Sequence, residues 1–270
     1  NLCCGRGVRA DNGYYWITDG ETLRINLDDP VSGWASVGAP SQDLDLGSNT
    51  YFSVAFDSDE TIYLRGRDTG EGETVYSLNT VNNSWNRELF NGPVKRQYHT
   101  SLFYQSSLYV FGGTTETNPF GSADYEIINL DLQSWKGIKA AFQPRFAVST
   151  QVSDGKLFAI GGREISGAFQ VGLVDSFDLE TGEWLSQNPV NLPRNNVDTV
   201  IQGGQMKVVG GLNPTGQPLQ SMEIYNGNDW LLGESLLTAR EGSCSDVVND
   251  DIHIIGGRVE GEATTEEGFE

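Results

Sequence analysis

Apolar and polar residues alternate in short bursts along this chain, and each burst stops at a turn instead of settling into a helical period. From Arg96 the sequence reads RQYHTSLFYQSSLYVFGG, and from Pro144 it reads PRFAVSTQVSDGKLFAIGG. The same form returns as PRNNVDTVIQGGQMKVVGG from Pro193 and AREGSCSDVVNDDIHIIGG from Ala239. Each stretch predicts two antiparallel strands joined by a tight turn. Asp154-Gly155 and Gly203-Gly204 fall where a hairpin wants positive φ. After a variable loop comes a third strand that runs to a tryptophan, as in YEIINLDLQSW to Trp135, VDSFDLETGEW to Trp184 and SMEIYNGNDW to Trp230. No stretch sustains helical periodicity. The expected fold is all-β.

The bursts are in phase. Gly112-Gly113, Gly161-Gly162, Gly210-Gly211 and Gly256-Gly257 close successive second strands, their last glycines at steps of 49, 49 and 46. Trp34, Trp85, Trp135, Trp184 and Trp230 follow at steps of 51, 50, 49 and 46. Arg96, Arg145, Arg194 and Arg240 each precede the first glycine of their pair by one and the same interval. Markers repeating together at a period near fifty mean stacked supersecondary units, and at this length they mean propeller blades. Glycine weakens a strand interior, so a pair at a strand end implies positive φ or close backbone approach. One indole per repeat supplies material for the core between neighbouring sheets.

The arginine, the diglycine after the second strand and the tryptophan beyond the third resemble the kelch repeat. The resemblance covers nearly the whole chain and implies one six-bladed β-propeller domain over residues 1–270. Its blades fall at about 1–40, 41–92, 93–142, 143–191, 192–237 and 238–270. Blade 2 departs from the pattern, with Leu64-Arg65-Gly66-Arg67 in place of the diglycine. Blade 1 has Asp19-Gly20 there and Cys3 at the arginine position. The sequence reaches Glu270 soon after Gly257, so blade 6 is expected to lack its outer two strands within this chain. Either truncation of a longer protein or a neighbouring subunit accounts for that, the second giving a homo-oligomer, surface assembly or filament.

Composition narrows the partners. Net charge is −20 and the pI is near 4.3, which opposes nucleic acid and anionic membranes. There is no initiator Met, signal peptide or apolar run long enough to cross a bilayer, so Asn1 reads as a processed or trimmed end and no direct membrane insertion is expected. The acidic balance, few lysines and a glycosylation sequon at Asn82-Asn83-Ser84 favour a secreted or cell-surface glycoprotein. Cys244 lies on the first strand of blade 6, and Cys3 and Cys4 lie at the start of the same strand in blade 1. In a closed ring those strands are neighbours, so Cys244 is expected either to pair with Cys4 or Cys3 or to stay a buried free thiol.

Metal and catalytic chemistry find little to use. His99 and His253 are the 2 histidines and belong to opposite blades, too far apart to share an ion. His99 is expected to be a satisfied strand residue. The galactose-oxidase-type set of two His with tyrosines, one cross-linked to Cys, is not reproduced. The acidic turns Asp57-Ser58-Asp59-Glu60 and Asn249-Asp250-Asp251 fit turn chemistry better than Ca²⁺. No Ser-His-Asp order, phosphate-cradling loop or Cys-x-x-Cys occurs, and neither cofactor nor metal is expected.

The arginines carry the sharper expectation. Arg96, Arg145, Arg194 and Arg240 enter their blades at one equivalent point. Arg163 and Arg258 follow the glycine pairs, and Arg67 takes the corresponding place in blade 2. Likeness to kelch propellers implies that both positions lie at one mouth of the axial channel. Seven of 17 basic residues would then form a positive rosette suited to the carboxylates of an acidic peptide or glycan. The bland alternative is that each guanidinium caps a neighbouring blade. The loops Thr114–Ala123, Glu164–Gly172 and Leu212–Gln220 vary freely, as recognition loops do. The leading expectation is therefore a binding module without enzymatic activity. A structural subunit is one alternative, and a metal-independent sugar mutarotase, implied by kelch resemblance alone, is the other.

Overall fold

The computed structural model describes residues 6–10, 13–18, 21–39, 44–45, 53–57, 60–68, 72–88, 95–118, 121–138, 143–164 and 171–259. Within them the chain is an all-β propeller of antiparallel blades with five complete sheets. Blade 1 comprises β1 (Arg6–Ala10), β2 (Gly13–Thr18), β3 (Glu21–Asn26) and β4 (Trp34–Ser36). Blade 2 comprises β5 (Leu44–Asp45), β6 (Ser53–Phe56), β7 (Thr61–Asp68), β8 (Gly72–Asn79) and β9 (Ser84–Glu88). Blade 3 has β10 (Thr100–Tyr104), β11 (Ser107–Phe111), β12 (Tyr125–Asn129) and β13 (Ser134–Ile138). Blade 4 has β14 (Ser149–Ser153), β15 (Lys156–Ile160), β16 (Val174–Asp178) and β17 (Trp184–Gln187). Blade 5 has β18 (Asp198–Gln202), β19 (Gln205–Val209), β20 (Met222–Tyr225) and β21 (Trp230–Leu232). The sixth repeat contributes the hairpin β23 (Cys244–Val248) and β24 (Asp251–Ile255), with β22 (Arg240–Glu241) paired to β25 (Arg258–Val259).

Two compact units divide the chain. One gathers Cys4–Pro119 and Asp124–Lys139, hence blades 1 to 3; the other gathers Asn1–Cys3, Phe120–Ala123 and Ala140–Glu270, hence blades 4 to 6.

Hairpin geometry explains the constant phase between arginine and glycine pair. The turns Gln105-Ser106, Asp154-Gly155, Gly203-Gly204 and Asn249-Asp250 all have positive φ at both central residues, the two-residue type I′ form that matches strand twist. The register they set continues past the strands, so that Gln97 bridges Thr114, Phe146 bridges Arg163 and Asn195 bridges Leu212. In these three blades the residue after the arginine therefore meets the residue after the glycine pair.

Each glycine pair is a joint between blades. Gly161 sits at φ +62°, and a Cβ there would lie 2.4 Å from the Arg194 carbonyl oxygen of the next blade. The following amide donates to that same oxygen, Gly162 N to Arg194 O at 3.0 Å, and Gly211 N to Arg240 O repeats the bond at 2.9 Å. Blade 2 shows the consequence of losing the doublet. With no break at Gly66-Arg67, β7 and β8 run on for eight residues each, and both β5 and β6 pair along β7.

Side chains from neighbouring sheets fill the seams. Trp85 packs on the cluster of Tyr15, Ile17, Ile62 and Leu78 between blades 1 and 2. Trp135 packs on Ala55, Val75, Leu108 and Val110 between blades 2 and 3. Trp230 joins Phe158, Ile160, Val174, Met206 and Val208 between blades 4 and 5. The indoles serve the inter-sheet core, as the repeat predicts.

Candidate functional site

The four phase-locked arginines do not present their guanidinium groups to a ligand. Arg96, Arg145, Arg194 and Arg240 are 2, 0, 0 and 4% exposed. Arg96, Arg194 and Arg240 donate to the first-glycine carbonyls Gly112 O, Gly210 O and Gly256 O at 2.8, 2.9 and 2.7 Å. Arg145 donates to Ala159 O at 3.0 Å instead. In three of the four, the guanidinium also meets a carboxylate on the third strand. Arg145 pairs with Asp175 and Arg194 with Glu223, each at 2.7 Å, and Arg96 pairs with Glu126. These groups staple the glycine joint to the third strand of their own blade. The physical reason is burial: a charge withdrawn from water must find a counter-charge and hydrogen bonds, and the third strand supplies both.

The electrostatics follow from that packing. Burial pulls the Arg145 and Arg194 guanidiniums below their usual range, and Asp175 and Glu223 offset only part of it. Burial pushes the Glu126 carboxyl up, but Arg65, Arg96 and the hydrogen bonds from Arg96 and Trp135 outweigh it, leaving the group below the carboxylate range. Arg65 is a blade 2 residue. It reaches Glu126 at 3.2 Å and has Nη1 3.2 Å from the buried His99 Nε2. His99 is thus a satisfied interior residue.

Sequence reasoning missed three features here. The separations from arginine to acid along the chain are 30, 30 and 29, a nearly constant offset that could have been read. Two residues after each arginine the backbone turns left-handed, at Tyr98, Ala147, Asn196 and Gly242 with φ of 55°, 52°, 50° and 60°. Tyr98 and Ala147 carry no mark of it. In the unit of blades 4 to 6 these corners are linked in series, Asn196 N donating to Ala147 O at 3.4 Å and Gly242 N to Asn196 O at 3.1 Å. Arg65, the third feature, occupies a core strand position that blades 4 and 5 fill with Ile160 and Val209.

The rim of that unit lies beside these corners, at the pairs that follow the arginines and glycines. Arg163 stacks over the Phe146 ring at 6.0 Å, and its Nε is shielded from solvent with no acceptor among the described residues. Arg258 is 48% exposed in its side chain. It pairs with Glu241 at 2.6 Å, and Glu241 also accepts from Asn196 Nδ2 at 2.9 Å. At the equivalent place in blade 5 the arm after Leu212 is folded on itself. Asn213 Oδ1 accepts from Thr215 N and Gln217 N at 2.9 and 3.0 Å. The side chain of Arg67 lies outside the described residues.

The remaining expectations are placed as follows. Cys244 is a buried free cysteine whose thiol burial pushes well above its usual range, while Cys3 and Cys4 lie outside the described residues. Asn82 is exposed, and its Oδ1 accepts from Ser84 N at 2.9 Å. Asp57 Oδ1 accepts from Thr61 N at 3.0 Å, and Asn249-Asp250 form a hairpin turn, so both acidic segments carry turn geometry where described. Ser58 and Asp59 lie outside. Among the described residues no cluster of His, Cys, Asp or Glu is placed to hold a metal ion, and no helix is long and apolar enough to cross a membrane.

Comparison with known proteins gives concordant results. The family model for the KLHDC2/KLHL20/DRC7 Kelch-repeats domain matches residues 53–257. Kelch repeat protein C2 of Vaccinia virus (strain Western Reserve) is 25% identical over 143 residues, covering 52% of this chain and 27% of its own length. Alpha-scruin of Limulus polyphemus is 27% identical over 198 residues, covering 69% of this chain and 21% of its own. The chain therefore spans about a quarter of the curated relatives it matches. The solved structure titled "Structure of YjhT" superposes with a TM-score of 0.81 at 16% identity, over 99% of this chain and 94% of that one; this likeness shows the fold.

Proposed function

The chain belongs to the kelch-repeat family, and from that premise and the rim geometry we propose that it is a protein-interaction module taking an acidic peptide segment at the rim of blades 4 to 6. The observation that carries this reading is the state of Arg163. Its guanidinium is held against Phe146, and Nε faces no acceptor among the described residues. An N–H shielded from water without a partner costs about 1–3 kcal/mol, and an incoming carboxylate recovers that cost.

Four of the seven candidate arginines are committed inside their sheets, so the rosette contracts to Arg163 and Arg258. Arg258 already shares Glu241 with Asn196. A peptide carboxylate meets a guanidinium there that is oriented and half open to solvent. The preformed turn at Asn213–Gly216 gives the rim a rigid wall between these two arms, and rigid walls lower the entropic cost of binding.

Fluorescence anisotropy with an Asp/Glu-rich peptide library tests this. For the best-binding peptide, Arg163→Ala and Arg258→Ala are each expected to weaken affinity about tenfold, the loss of one charge-assisted pair, with the circular dichroism spectrum unchanged. Affinity unaltered in both variants would falsify the reading.

A further inference from the structure

Blade 5 shows what a complete seam requires. Trp230 and Tyr225, from its fourth and third strands, pack on Phe158, Ile160 and Val174 of blade 4 and on Met206 and Val208 of their own sheet. The next seam repeats every wall of that socket. Counted from the glycine pairs, Lys207 and Val209 stand where Phe158 and Ile160 stand, while Ile252 and Ile254 replace Met206 and Val208. Met222 opposes Val209 as Val174 opposes Ile160. These residues line a groove of about 600 Å³ between blade 5 and the β23–β24 hairpin.

Two independent features show that the groove is open among the described residues. Met222 and Ile252 are only partly buried, while their counterparts Val174 and Met206 are 1 and 2% exposed. In every complete blade the second strand is hydrogen-bonded on both sides, but β24 pairs with β23 alone. An unpaired edge beside an apolar socket is a template for an added strand, with main-chain bonds giving affinity and pockets giving selectivity.

We infer that this groove docks a strand pair donated by a separate polypeptide, with an aromatic residue at the place of Tyr225 and an indole at the place of Trp230. The donated first strand runs antiparallel to β24. The indole enters between Val209, Met222, Ile252 and Ile254, and Lys207, in the position of Phe158, brings a cation to its face. Continuity with the seam between blades 4 and 5 argues for this occupant, since that interface is built from the same positions and is filled by those two aromatics. Neither edge pairing nor pocket filling needs a covalent link between donor and acceptor. The inference shares no residue with the rim and stands or falls apart from it.

The test uses the 270-residue chain and a labelled synthetic peptide with the sequence of residues 222–232, MEIYNGNDWLL. Saturable one-to-one binding is expected, with new hydrogen-exchange protection of the β24 amides. Replacing the peptide's tryptophan by alanine should weaken binding at least about tenfold, as truncation of a buried aromatic anchor does. Ile252→Asp should abolish it, and Lys207→Glu, a partly exposed position, should weaken it in a chain of unchanged circular dichroism. Absence of binding overturns the proposal, whichever state the edge is in. If the β24 amides are already protected in the free monomer, the chain's own residues fill the groove. If they are protected only in a dimer seen by sedimentation, a second copy does.

Discussion

Gly204 and Gly210 both have positive φ, at +75° and +61°, yet they are under different constraints. A Cβ on Gly204, in the hairpin turn, would meet nothing within 4 Å; one on Gly210 would lie 2.6 Å from the Arg240 carbonyl oxygen. Backbone cannot swing aside as a side chain can, so the joint forbids what the turn merely disfavours. Gly204→Ala is expected to cost about 1–2 kcal/mol, the left-handed penalty alone. Gly210→Ala adds a displaced backbone and loses the Gly211 bond to the same oxygen, for a total of about 3 kcal/mol or more. Urea unfolding of both variants checks the ranking, and equal losses would refute the joint.

The hairpin is the element that made the fold readable. A two-residue turn between five-residue strands locks arginine, glycine pair and tryptophan into fixed phase, so period and strand order follow from residue spacing alone. The arginines' role did not follow. A guanidinium bound for solvent and one bound for a buried Glu look alike until the third strand folds its acid beside them. Arg65 was hidden for the opposite reason: it replaces an apolar core residue and makes its contacts through a different blade. The left-handed corners at Tyr98 and Ala147 had no glycine or asparagine to announce them. The same element reasoning gives a prediction for blade 3, whose turn places Gln105 and Ser106 at φ 45° and 56°. Asn-Gly tolerates those angles with far less strain. Gln105→Asn with Ser106→Gly should raise stability by about 0.5–2 kcal/mol, read as a higher urea midpoint; an unchanged or lower midpoint refutes the turn assignment.

For the molecule as a whole the buried guanidiniums reshape a charge balance that starts at −20. Arg65, Arg96, Arg145, Arg194 and Arg240 are all enclosed, so the exterior is more uniformly acidic than composition implies. Solubility benefits, but the interior comes to depend on a few carboxylates staying ionised. Glu126 is the most demanding of them, fully buried and facing Arg65 and Arg96, with Trp135 Nε1 donating to it at 2.7 Å. Its folded pKa lies below the ordinary carboxylate range, so the sign of its pH dependence is fixed. The stabilisation is complete above the unfolded pKa and drains away as pH falls through the folded value. Glu126→Gln keeps the shape and removes the charge, leaving two guanidiniums buried without their counter-ion at a cost of about 3–5 kcal/mol near pH 7. As the solution is acidified, the native carboxyl gains its proton and comes to resemble the amide. The stability gap between the two proteins should therefore narrow steadily below about pH 4. Urea titrations of both proteins at several pH values measure it, and a gap that stays constant into acid would mean that this carboxylate does not neutralise the pair.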